Sequence, residues 1–212
     1  MCGIVGYVGS RQAQNVIIEG LEKLEYRGYD SSGIAVIHDR SINTAKFKGR
    51  LSGLDNYTKE NPITGNVGIG HTRWATHGAP SDINSHPHLN NKETIAVVHN
   101  GIIENYLTLK EELQSKGYQF VSETDTEVIA HLVDYYYEGD LLEAVFKTIK
   151  KLKGAYALGV IAKDSPEEMI AVRKESPLIV GLSEDGNYIA SDVPAILNYT
   201  RDVYFLDNGE VV

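Results

Sequence analysis

The sequence predicts an α+β domain built in layers. Short apolar runs bounded by Gly, Asn, Asp and Pro recur along the chain, as strands do. Only a few segments show helical periodicity, and two of these follow one another instead of alternating with strands, which disfavours repeated βαβ units. The chain has 212 residues, 42% hydrophobic and 23% charged. That is enough for one large domain, or a small pair, with a substantial core.

Residues 4–8 read as a short buried strand. Residues 11–25 read as a helix with Ala13, Val16, Ile17, Leu21 and Leu24 on one face. Residues 33–38 and 42–48 read as paired strands, and 66–72 as another. A long segment, 73–91, then carries Gly78, Pro80, Asp82, Asn84 and Pro87. Loops this long inside compact domains are often functional. Residues 94–99 read as a strand that ends in Asn100-Gly101, a common turn dipeptide. Residues 105–116 form an amphipathic helix closed by Gly117. Helices at 126–137 and 141–152 follow, then strands at 155–162, 168–173, 178–182, 187–190 and 203–206. Asp207-Asn208-Gly209 signals a turn into a return strand begun by Glu210, Val211 and Val212. A chain stopping partway into a strand is expected to be a piece of a longer polypeptide.

The formal net charge of −9 argues against nonspecific binding to nucleic acid or anionic membranes. One cysteine excludes an intrachain disulfide and fits a reducing cytoplasm. No apolar run of about 18 residues is present, and the N-terminus lacks the pattern of a signal peptide.

That single cysteine is Cys2. Removal of Met1 would put a thiol and a free α-amine on one residue. With a pKa of about 7.7–8.0 the amine is a suitable base near neutral pH, so the nucleophile carries its own base. While Met1 remains, the Cys2 nitrogen is an amide and the chain is expected to be inactive. Taken alone, Cys2 also reads as a small buried residue.

Four further segments bear on it. Glu25-Tyr26-Arg27-Gly28-Tyr29-Asp30-Ser31 otherwise reads as a helix end and turn. His71-Thr72-Arg73-Trp74-Ala75-Thr76-His77-Gly78 brings an arginine able to clamp a carboxylate, or to sit in a surface ion pair. In His99-Asn100-Gly101 a side-chain amide beside a glycine N–H supplies the parts of an oxyanion hole, or simply a turn. In Ser122-Glu123-Thr124-Asp125-Thr126-Glu127, Asp125 suits the start of a helix and also suits pairing with a substrate ammonium.

Together with Cys2-Gly3-Ile4-Val5-Gly6, His86-Pro87-His88 and Ile102-Ile103-Glu104-Asn105, these segments resemble the glutaminase domain of the glucosamine-6-phosphate synthase family, the isomerising glutamine–fructose-6-phosphate aminotransferases. The resemblance spans nearly the whole chain, residues 1–212. Tyr26-Arg27-Gly28-Tyr29 and Arg73-Trp74-Ala75-Thr76 look like the sugar enzymes and unlike the purine-pathway amidotransferases. Within the wider class II glutamine amidotransferases it implies the N-terminal nucleophile hydrolase fold, a four-layer αββα sandwich. It implies that Cys2 attacks the side-chain amide of L-glutamine, that Asn100 and Gly101 hold the oxyanion, and that Arg73 and Asp125 bind the α-carboxylate and α-ammonium. Trp74, Thr76 and His77 would line the same pocket. Arg27 and His86 would support it from behind, Arg27 favouring the thiolate. The resemblance implies no cofactor and no metal. It implies a separate C-terminal sugar-phosphate isomerase region as partner and a homodimer for the longer enzyme.

Two rivals remain at this level. One is a glutamine-sensing domain without catalysis. The other is a metal module using His86 and His88 with His71 and His77, although no paired cysteines or His-Glu-x-x-His helix accompany them.

Overall fold

The structure, a computed structural model, describes residues 2–212. Its layers stack as helix, sheet, sheet, helix. The larger sheet has the order β11 (Asp202–Phe205), β9 (Ile179–Ser183), β10 (Gly186–Ala190), β1 (Gly3–Gly9), β4 (Val67–Arg73), β2 (Ser31–His38) and β3 (Ser41–Lys48). The smaller runs β5 (His88–Leu89), β6 (Ile95–Ile103), β7 (Gly154–Ala162) and β8 (Ile170–Lys174). All neighbours are antiparallel. Helices α1 (Ala13–Leu24) and α2 (Leu51–Glu60) pack on the larger sheet. Helices α3 (Tyr106–Ser115), α4 (Glu127–Tyr136) and α5 (Leu141–Ile149) pack on the smaller one.

The apolar runs of the sequence are continuous because these strands are buried on both faces. Successive side chains point to opposite faces. In β6, Ile95 and Val97 enter the core under α4, while Ala96 and Val98 enter the core between the sheets. In β2, Ile34 and Val36 meet α1, while Ala35 and Ile37 face the other sheet.

The chain ends α3 as the glycine predicts. Gly117 takes φ +93°. Its N–H donates to Gln114 O at 3.0 Å and Tyr118 N–H to Leu113 O at 3.1 Å, a Schellman closure.

Three features differ from the sequence expectation. Helix α2 falls where no element was expected, because only Leu51, Leu54 and Thr58 of its ten residues are buried and the apolar stripe is thin. Strand β6 runs through Asn100-Gly101 to Ile103 instead of turning, since Gly101 adopts φ +126° while still opposite Tyr156. The final segment does not return along β11. Val211 bridges Val172 of β8 in the smaller sheet, with Ala171 N–H donating to Val212 O at 2.8 Å and Val212 N–H to Ala171 O at 2.9 Å.

Topology sets the site. Pairing of Gly3 with Thr72 brings Cys2 to the end of β4, where Arg73 opens the long loop. From the opposing sheet, β6 delivers Asn100 to the same place, its Nδ2 donating to Cys2 O at 3.0 Å.

Candidate active site

Cys2 lines a cavity of about 320 Å³, within the usual range for a small-molecule site, roughly 300–1,000 Å³. Arg27, Arg73, Trp74, Thr76 and His86 line it too, as do Asn100, Gly101 and Asp125. His77 stands behind this wall, its Nδ1 3.9 Å from Asp125 Oδ1 and its ring edge-on to Tyr106. The scattered segments therefore converge on one cleft.

The backbone of Cys2 is gripped from two sides. Arg27 Nε donates to Cys2 O at 3.1 Å, and Asn100 Nδ2 donates to the same oxygen. Arg27 is itself anchored by Asp192 Oδ2 at 3.1 Å. Cys2 Sγ accepts from Trp74 N–H at 3.2 Å. Burial pushes the thiol pKa up, opposed in part by the Trp74 N–H and by the charge of Arg73. At neutral pH the sulfur is a thiol that needs a base.

Two hydrogen bonds to Asp30 brace the loop. Asp30 N–H donates to Arg73 O at 3.1 Å, and Ala75 N–H donates to Asp30 Oδ2. Gly28 lies so close that a Cβ there would sit 2.7 Å from Arg73 C and 2.9 Å from Trp74 N. This close approach is the reason for glycine after Arg27.

Arg73 is 3% exposed. Its Nη2 donates to His77 O and Gly78 O, whereas the buried Nη1 has no hydrogen-bond partner among the described residues. An unpaired buried guanidinium N–H is costly unless something fills the cavity to accept it. Asp125, 4% exposed, is not the cap of α4. Its Oδ2 accepts from Ile103 N–H at 2.8 Å, which ties the carboxylate to β6. The acid at the helix start is Glu127, whose oxygens accept from Val121 N–H, Ser122 N–H and Ser122 Oγ. Burial raises its pKa, but His131 and these donors together hold it below the ordinary range.

His86 and His99 in the cavity wall are buried, as are His71 and His88. Burial lowers all four pKa values, that of His71 to about 3. His99 Nδ1 meets Thr126 Oγ1 at 2.9 Å, and His88 Nε2 meets Thr124 Oγ1 at 3.1 Å. His71 Nε2 lies 2.9 Å from Asn100 Oδ1. Among the described residues no group of three or more His, Cys, Asp or Glu side chains is arranged to hold a metal ion.

Sequence reasoning did not place His99, Ile102, Thr124, Thr126, Ser176 and Pro177 in the wall. The threonines sat inside a quoted motif beside Asp125. Ser176-Pro177 follows β8 and carries no local sign of its place.

Residues 71–198 match the glutamine amidotransferase domain family. The chain belongs to that family. It is 64% identical over its full length to the glutamine–fructose-6-phosphate aminotransferase (isomerising) of Clostridium acetobutylicum, covering 35% of that protein. The chain thus spans about a third of the length of the curated relatives it matches. Among solved structures, the glutamine phosphoribosylpyrophosphate amidotransferase of B. subtilis superposes with a TM-score of 0.83 at 28% identity, over 99% of this chain and 46% of that one. A glutamine aminotransferase class-II domain protein from Silicibacter pomeroyi shares the fold, with a TM-score of 0.64 at 14% identity over 99% of this chain and 93% of that one. The sandwich is the N-terminal nucleophile hydrolase fold of the class II amidotransferases. Among the described residues no helix is long and apolar enough to cross a membrane.

Proposed function

We propose that this domain hydrolyses L-glutamine to glutamate and ammonia through a thioester on Cys2. The observation that carries the reading is the convergence of Cys2, the unpartnered Arg73 Nη1 and the Asp125 carboxylate on one cavity. Arg73 takes the substrate α-carboxylate and Asp125 its α-ammonium, which directs the side-chain amide to Cys2. Trp74 and Thr76 line the same pocket, and His77 backs it from beside Asp125. Sγ bonds to the amide carbon while the α-amine of Met1-free Cys2 takes the thiol proton. The oxyanion is met by the Asn100 amide and the Gly101 N–H. Its collapse expels ammonia, protonated by the same amine. Water then attacks the thioester, releasing glutamate and restoring the thiol. Met1 lies outside the described residues.

In a longer polypeptide the ammonia would serve synthesis of glucosamine 6-phosphate from fructose 6-phosphate on a C-terminal isomerase region. This reading takes that polypeptide as a cytoplasmic homodimer and residues 1–212 as its glutaminase domain. It is supported by 64% identity to the clostridial aminotransferase.

The test is glutamate release by Met1-free protein of verified mass beside Cys2→Ala. Release by the first alone is the expected result. Equal release by both would overturn the mechanism. Glutamine binding without release would favour a sensing domain.

A further inference from the structure

We propose that His71 is a positioning residue for this reaction: its Nε2–H holds the Asn100 carboxamide in the orientation that turns Nδ2 toward Cys2. The proposal rests on the glutaminase reading above.

His71 Nε2 lies 2.9 Å from Asn100 Oδ1 and 3.0 Å from His99 O. Both partners are oxygens without a proton, so Nε2 carries the hydrogen and donates to both. The other end of the same amide gives the Nδ2 bond to Cys2 O at 3.0 Å. Oxygen and NH₂ are nearly the same size, so shape alone does not choose between the two orientations of an asparagine. Chemistry does. A flipped amide would set Oδ1 against the Cys2 carbonyl oxygen and Nδ2 against the His71 N–H, opposing like groups at both ends. It would also offer lone pairs where an oxyanion needs donors.

The surroundings keep the switch set. His71 is fully buried on β4 and Asn100 is 6% exposed on β6, so water does not compete and the bond spans the two sheets. The His86 ring lies 4.1 Å from the His71 ring, centroid to centroid, and limits its rotation. His71 Nδ1 is buried without a hydrogen-bond partner among the described residues. A second proton would be stranded there, and burial holds the ring neutral. The amide orientation is therefore independent of pH across the working range.

The test compares His71→Phe, which keeps a ring but removes the donor, with His71→Gln, which returns an amide N–H near the Nε2 position. Each is made in the native and the Asn100→Ala background, with folding checked by thermal melts. His71→Phe should lower kcat for glutamine about 10²-fold, the usual loss when an oxyanion donor is removed, and leave KM within about threefold. His71→Gln should recover a large part of the loss. In Asn100→Ala, His71→Phe should change kcat less than about twofold, because the group it positions is gone. A folded His71→Phe with near-native kcat, or a full additive loss in Asn100→Ala, overturns the proposal alone. A wild type without Cys2-dependent hydrolysis overturns the glutaminase reading as well. Nitrogen NMR of the wild type reads the tautomer directly and depends on neither variant: a protonated Nε2 supports the proposal, and a protonated Nδ1 with bare Nε2 overturns it.

Discussion

Cys2 offers its carbonyl to Arg27 and Asn100 and its sulfur to the backbone of Trp74. That division holds the residue in place without a charged partner bonded to the thiol. Because burial raises its pKa, the reactive thiolate should be scarce at pH 7. Alkylation of Cys2 by iodoacetamide should therefore rise with pH to a midpoint above the ordinary value of about 8.5. A midpoint below 8 would contradict the burial argument. Arg73 gives a second prediction. Lysine keeps the charge but loses the planar fork, so Arg73→Lys should raise KM for glutamine about 10- to 100-fold with a smaller change in kcat. An unchanged KM in steady-state kinetics would remove Arg73 from substrate binding. Cys2, Arg73, Asn100 and Asp125 each had a plainer reading when taken alone, and it was the resemblance joining their motifs that singled them out; the structure places all four on one cavity. His71 stood in one of those motifs too, but its use depends on a partner 29 positions away in another sheet. No spacing rule reports such a partner.

Single elements explain where sequence and structure part. Asn100-Gly101 reads as a turn because Asn-Gly so often is one. Here long pairing with β7 outweighs that local preference, and glycine supplies the left-handed φ that lets the strand continue. A Cβ at Gly101 would lie 2.0 Å from Ala155 O. Gly101→Ala should thus cost roughly 1–3 kcal/mol from the backbone conformation and more from the clash, and should disturb the oxyanion N–H. Urea unfolding with an unchanged midpoint would show that β6 relaxes freely. Helix α2 fails to announce itself for the opposite reason. Its faces differ, but few of its residues are apolar, and packing of Leu51 and Leu54 beside α1 makes the helix. The strongly patterned α1 was legible for the same physical reason: its buried face recurs at helical spacing along the whole element.

At the scale of the whole molecule, the order of the layers was not readable from periodicity. Strands buried on both faces look alike whichever sheet they join, and the layering came instead from resemblance. The closed interior also carries a pH signature. His71, His86, His88 and His99 have folded pKa values below the unfolded value of about 6.5. Between those values the unfolded chain binds more protons than the folded one, so stability is full above pH 6.5 and falls as pH drops. Each histidine contributes a slope of about 1.4 kcal/mol per pH unit inside its window, which for His71 closes near pH 3. Urea midpoints should be level above pH 7 and decline steeply below 6. A flat profile from pH 7 to 5 would show that these rings accept protons in the fold. Finally, the last segment lies along β8, while β11 before it belongs to the sheet that carries β1. A tug on Val212 therefore loads the hydrogen bonds to Ala171 and Arg173 first. Load applied there passes into β8 of the smaller sheet before it reaches β11.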